Sequence, residues 1–190
     1  MFCGPFGGRG GLYYKIRERG ELYMHNELTQ RDIQLMKEEL DYRRIQLRPQ
    51  LLEEVKTARA FGDLSENFEY KAAKRDKNRN ESRIRYLENM IKTAVVISGE
   101  TDADKVGLYD YVTVWVEEDE EEQEYQIVTT VRQDALKNRI SKESPFGKAV
   151  LGQKVGERLY IQVNDSYGYY IIIRSIQKGA DDGSIPINAF

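Results

Sequence analysis

Asp63 and Glu66 stand three residues apart in the short acidic stretch Phe61-Gly62-Asp63-Leu64-Ser65-Glu66-Asn67. Two carboxylates at this spacing can do two things. Asp63 can cap the N-terminus of a following helix with Glu66 at its third position, the spacing of a capping box, and both charges then complement the helix dipole. The pair can also recruit a metal. Mg2+ takes oxygen ligands, keeps several waters and is often held by only one or two protein carboxylates. Two carboxylates alone hold it weakly, so this chemistry needs a partner that already offers carboxylates and a phosphate. In a two-metal site the ions flank the scissile phosphate and stabilise the attacking and leaving oxygens. One oxygen can cap while another faces outward, so the two readings are compatible.

The stretch lies between two long segments with helical periodicity. A turn there makes a helical hairpin with the carboxylates at its far tip. The first segment, residues 32–60, would be ~43 Å long at the rise of an α-helix. Thr29 and Asp32 have the spacing of a capping box with Asp in place of Glu. Ile33, Met36, Leu40, Leu47, Leu51, Val55 and Ala58 then form a narrow apolar seam of coiled-coil type, interrupted by Arg44. Pro49 falls inside this helix and predicts a kink. The second helix starts at the tip and carries Phe68, Ala72, Ala73, Ile84, Leu87, Ile91 and Ala94, with a polar run from Lys74 to Asn80. In a hairpin turning at Asp63 and Leu64, Arg79 and Arg83 are expected to face Arg48 and Arg44. Four arginines in contact repel, so the cluster either splays into solvent or meets an anion. Phosphates of a nucleic-acid backbone would serve.

From Gly99 the period becomes alternating. Residues 109–116 read as a strand, 117–124 as an acidic hairpin loop and 124–131 as the returning strand, with a short piece at Ile140. Ser144 and Pro145 open a short helix over 146–151 that ends at Gly152. Residues 158–163 and 169–176 pair as the last strands. The expected fold is α+β: a helical hairpin over 24–98, then a small antiparallel sheet domain with one short helix over 99–178. Residues 179–190 read as a flexible tail. Residues 1–23 are Gly-rich and aperiodic, expected to be a disordered or mis-assigned extension with translation starting at Met24; an intact mass that includes them would reject the latter.

Composition narrows the classes. Of 190 residues 32% are charged, which suits an exposed rod better than one compact core. Lys and Arg outnumber Asp and Glu by 15 to 13 over residues 24–98 but are outnumbered 10 to 17 over 99–190, in keeping with two different domains. One Cys and one His exclude a disulfide framework and a Cys/His zinc site. No run is apolar enough to span a membrane and no signal peptide is evident, so a cytoplasmic protein with no membrane partner is expected.

The run from Ala58 to Tyr70 followed by Ala72-Ala73-Lys74 resembles the tip signature of the bacterial Gre transcript-cleavage factors. The resemblance continues through Arg83-Ile84-Arg85-Tyr86-Leu87 and through residues 144–152, and covers about residues 26–178. It implies a coiled coil inserted into the secondary channel of RNA polymerase and an FKBP-like C-terminal domain docked at the channel rim. It implies that Asp63 and Glu66 help hold a second Mg2+ shared with the polymerase active site. The polymerase then hydrolyses the displaced nascent RNA 3′ end, so the chain is an accessory factor and not itself an enzyme. Ser65 and Asn67 match supporting positions of the tip. Arg44, Arg48, Arg79 and Arg83 are open to the role of guiding RNA, and Ser144 and Pro145 to polymerase docking. A monomer is expected. The extension 1–23, the polar mid-hairpin, the acidic loop and the tail depart from the family pattern. They leave open whether the GreA or GreB type of cleavage applies. Three other readings compete: a secondary-channel regulator that acts without cleavage, a prolyl isomerase, and a structural spacer. The intact tip argues against the first and last, and no isomerase signature supports the second.

Overall fold

The computed structural model describes residues 26–60, 67–99 and 102–188 with their side chains, and the backbone strands at 14–16 and 22–24. Two short strands come first, β1 (Tyr14–Ile16) and β2 (Leu22–Met24), paired antiparallel. This part of the extension is therefore paired, where an unstructured segment was expected. The helical hairpin follows. Strand β3 (Asn26–Leu28) leads into α1 (Gln30–Tyr42), a π-helical turn (Arg43–Leu47) and α2 (Arg48–Arg59); α3 (Phe68–Thr93) returns and ends in β4 (Ala94–Val96). Strands β3 and β4 pair in parallel and close the base of the hairpin.

Helix α1 starts where its chemistry says it should. The Thr29 side chain accepts from Asp32 N–H and the Asp32 carboxylate accepts from Thr29 N–H at 3.0 Å, a complete capping box. Ile33, Met36 and Leu40 on one face of α1 bury against Ile84, Leu87 and Met90 of α3, with Leu28 and Val131 closing the cluster. Farther out only Leu51 and Ala58 of the first strand of the rod are buried. Pro49 takes the second position of α2, directly after the π turn. A proline ring conflicts with the carbonyl four residues back, and its missing N–H leaves a carbonyl without a donor. The disturbance expected there takes the form of this wider turn, in which Arg48 N–H bonds to Arg43 C=O.

The second unit is a five-stranded sheet of β5 (Tyr111–Val116), β6 (Glu121–Val128), β7 (Arg139–Ser141), β8 (Arg158–Gln162) and β9 (Gly168–Gln177), in the order β7-β6-β5-β9-β8. Alternation works as expected: Val112, Val114 and Val116 point into the core while Tyr111, Thr113 and Trp115 do not. Helix α4 (Pro145–Val150) contributes Phe146 and Val150 to the same core.

Three expectations need correction. The sheet is mixed, because β7 runs parallel to β6. Two 3-10 turns, Thr130–Arg132 and Ala135–Lys137, carry the chain back before it re-enters, which a tight hairpin cannot do. The acidic loop is also shorter than expected, since β6 already begins at Glu121 and turn residues Glu117 and Glu118 are tied to Arg158 and the Tyr167 hydroxyl. Residues 179–188 are docked and do not form a loose tail. Ile185 enters the sheet core, Ile187 packs on the hairpin base and Asn188 N–H bonds to Val131 C=O at 2.8 Å. Among the described residues no helix is long and apolar enough to cross a membrane.

The two units meet at a buried ionic network. Arg132 donates through Nε to Asp32 of the capping box and through both terminal nitrogens to Asp181, at 2.7 and 3.3 Å. Thr29 Oγ1 donates to the same Asp181 at 2.9 Å. Asp32 is 0% and Arg132 1% exposed. The guanidinium lies 5.2 Å from the Tyr109 ring centroid. Burial, with the Asp32 charge adding to it, pushes the Tyr109 hydroxyl up to about 12, so it stays neutral. Burial opposes the Arg132 charge, but Asp32, Tyr109 and Asp181 outweigh it and hold the guanidinium charged. Arg132→Ala would strand the Asp32 carboxylate in a dry place, which costs about 3–5 kcal/mol. Urea unfolding of Arg132→Ala should show a loss of that size, against well under 1 kcal/mol for an exposed control such as Lys37→Ala.

Candidate functional site

The working end of the hairpin is built by Asn67. This residue is the N-cap of α3: its Oδ1 accepts from Tyr70 N–H at 2.8 Å. Its Nδ2 donates to Ala58 C=O, also at 2.8 Å, one of the carbonyls that the last turn of α2 leaves without a helical donor. One side chain thus ties the end of the outgoing helix to the start of the returning one. Asp63, Ser65 and Glu66 lie outside the described residues. The cap expected of Asp63 nevertheless belongs to Asn67, because α3 begins only at Phe68. Among the described residues no group of three or more His, Cys, Asp or Glu could hold a metal.

Midway along the rod, the four-arginine cluster is not formed. Arg83 is buried at 3% exposure and bonds Glu39 through two nitrogens, at 2.9 and 2.8 Å. Arg43 reaches the same Glu39 at 2.7 Å and Asn80 at 3.1 Å. Arg48 pairs with Glu81 and Arg44 with Glu88. Each of these three predicted arginines therefore faces a glutamate from the other helix, and Arg83 is a structural element of the seam. Of the four only Arg79 is exposed without an ion pair among the described residues. Lys74, Arg75 and Arg85 share that condition, and half-buried Lys77 and Arg85 line an open groove with Arg48, Leu52, Asn78, Glu81 and Ser82. The cationic surface is thus displaced along α3 from where the sequence places it. The signal was present: Glu81 and Glu88 sit among the arginines, but only coordinates decide which charges meet.

On the second unit, Ser144 caps α4 by accepting from Gly147 N–H at 2.9 Å, and Pro145 stands at its first position, exposed. Gly147 packs so closely on β7 that a Cβ there would lie 2.2 Å from Ser141 C=O. Ser144 and Gly147 therefore have structural reasons for their identity, and Pro145 is the member left facing outward. The spacing of Thr29 and Asp32 reveals the capping box, but not its partners Arg132, 100 positions from Asp32, and Asp181, 152 positions from Thr29.

Comparison with known proteins gives one consistent result. Residues 26–96 match the family described as "Transcription elongation factor, N-terminal" and residues 100–176 the family described as "Transcription elongation factor, GreA/GreB, C-term". The chain is 45% identical over 137 residues to transcription elongation factor GreA of Caldanaerobacter subterraneus subsp. tengcongensis, covering 72% of this chain and 87% of that one. It is 40% identical over 147 residues to GreA of Clostridium acetobutylicum, covering 77% and 93%. A solved structure, the GreA factor homolog Gfh1 of Thermus thermophilus, aligns at a TM-score of 0.38 with 25% identity, covering 81% of this chain and 99% of that one.

Two outcomes follow from this geometry. Asn67→Ala removes a cap and an interhelical bond and should cost about 1 kcal/mol; amide exchange at Tyr70 and its neighbours would rise while the sheet domain stays protected. Burial tends to raise the Glu39 carboxyl, but hydrogen bonds from Arg83 and Arg43 outweigh it and hold the group below its ordinary 4.5. A lowered carboxyl stabilises fully above its unfolded pKa, and the contribution is lost as pH falls through the folded value. The urea midpoint should fall as pH drops below about 4.3, and Glu39→Gln should flatten that fall.

Proposed function

The chain belongs to the GreA/GreB family of transcription elongation factors, and we propose that it rescues stalled transcription by carrying Asp63 and Glu66 into the secondary channel of RNA polymerase. There the polymerase's own site hydrolyses the backtracked RNA 3′ end. The chain is an accessory factor, and the bond-breaking machinery belongs to its partner. The observation that carries this reading is the tie by which Asn67 joins the end of α2 to the start of α3, so that Asp63 and Glu66 fall in the connection at the far end of the rod. A carboxylate pair at the end of a helical run of about 45 Å from Gln30 to Arg59 fits a device for delivering charge at a distance.

Asp63 and Glu66 supply hard oxygen donors that suit Mg2+ and would complete its coordination together with ligands from the polymerase. When bound, such an ion offsets charge at the scissile phosphate and acidifies an attacking water. Ser65 and Asn67 support the pair, Asn67 through its two hydrogen bonds. The exposed cations of α3, Arg79 among them, together with the outward parts of Arg44 and Arg48, guide extruded RNA by neutralising phosphates. Arg83 does not join them, being occupied with Glu39. Pro145, presented by the capped turn at Ser144, is a contact to the rim of the polymerase channel.

Cleavage of backtracked complexes tests the proposal. Asp63→Ala and Glu66→Ala should each lower stimulated cleavage by more than about tenfold, the scale on which lost metal support acts, and leave polymerase binding intact. Cleavage at the wild-type rate in both variants would overturn it. A wild-type factor that slows RNA synthesis without releasing 3′ fragments would instead favour a channel-binding regulator.

A further inference from the structure

Phe68 is the first residue of α3, beside the cap Asn67 and two residues after Glu66. It is 82% exposed, whereas no other exposed aromatic ring among the described residues exceeds 51%. Apolar surface stabilises a fold only when water is removed from it, so this ring contributes little to folding. It is nonetheless placed. Lys71 Nζ sits 5.6 Å from its centroid, and one step along the helix Lys74 Nζ sits 5.9 Å from the Tyr70 ring. The backbone beneath both is anchored by the two bonds of Asn67.

Aromatic faces interleaved with cations are what proteins use to hold single-stranded nucleic acid. A base stacks on the ring and a neighbouring cation neutralises the phosphate, without reading sequence. A cation on one face of a planar ring leaves the opposite face for a base. Lys74, Arg75, Lys77 and Arg79 continue the positive charge up the same helix, away from the ring. A strand whose last base lay on Phe68 would therefore run its phosphates along a cationic track. A hydrophobic contact to the polymerase wall would need no such track.

We propose that Phe68, with Lys71 beside it, is a stacking platform for the terminal base of the extruded RNA. The proposal rests on the cleavage-factor reading above. It adds a positioning residue and a ligand class, a nucleobase, to that site.

The test uses the full chain on backtracked complexes of the cognate polymerase, with RNA ending in a photoreactive thio-base. Wild type should stimulate cleavage and cross-link from the terminal base to the segment that holds residue 68. Phe68→Ala should lose about tenfold in cleavage rate, the lower part of the range for one stacked base, and lose the cross-link. The loss should be greater for a terminal purine than for a pyrimidine. Phe68→Trp should restore both signals, and Lys71→Ala should cost about two- to threefold by removing one cation. Binding to polymerase whose RNA is not backtracked should be unchanged throughout. Full cleavage and an intact cross-link in Phe68→Ala would sink the platform while leaving the cleavage-factor reading in place. Weakened binding of that variant to non-backtracked polymerase would make Phe68 a protein contact and overturn it too. A wild-type factor that fails to stimulate cleavage overturns both proposals together.

Discussion

The rod can act at a distance only if its base is fixed, and the base is fixed by one buried guanidinium. Arg132 holds Asp32 at the start of α1 and Asp181 in the C-terminal segment. Lys142 and Glu27 add a second ion pair across the same seam. Burying Arg132 and Asp32 brings a desolvation penalty of several kcal/mol per ion, and it is offset because both oxygens of Asp32 and of Asp181 take a bond from Thr29 or from the guanidinium. Apolar packing at this junction is modest, with Val131 and Ile187 as the contributors to the hairpin cluster. Greasy contacts tolerate sliding, whereas a bidentate ion pair specifies direction. The network therefore sets the orientation of the hairpin.

Along the rod the same economy recurs. Two helices alone cannot bury a wide core, and between Leu40 and Leu51 of the outgoing strand no apolar side chain is buried. Charged residues fill the gap: Glu39 with Arg83 and Arg43, Glu81 with Arg48, Glu88 with Arg44. Exposed pairs of this kind contribute little each. Arg83 differs because it is buried, and its glutamate carries a pKa displaced to match. This mid-section holds register by charge where its ends hold it by packing.

Much of this was legible in the residues. The capping box of Thr29 and Asp32, the alternation of Val112, Val114 and Val116, and the Ser144 cap with Gly152 beyond it at φ +80° all stood in the sequence, because each is a local device acting within a few residues. What failed was nonlocal. The facing of Arg79 and Arg83 toward Arg48 and Arg44 was drawn from an ideal antiparallel register, and the π turn displaces that register in one helix only. Residues 179–188 read as loose because their polarity hid the partners of Asp181 and the pocket for Ile185. The spacing of Asp63 and Glu66 points to an N-cap four residues before the one formed; Asn67 has equal capping chemistry and adds a second bond to Ala58 that spacing does not reveal.

The π turn has an effect on phase. From Met36 to Ala58, both buried on the inner face, the chain advances 22 residues, one more than three heptads. The wide turn absorbs the surplus, much as a stutter does in longer coiled coils. Without it, the distal half would be out by one position of the heptad frame, about 103° in a strict 3.5-residue repeat. A single inserted residue beside Pro49 thus determines the compass bearing of everything beyond it.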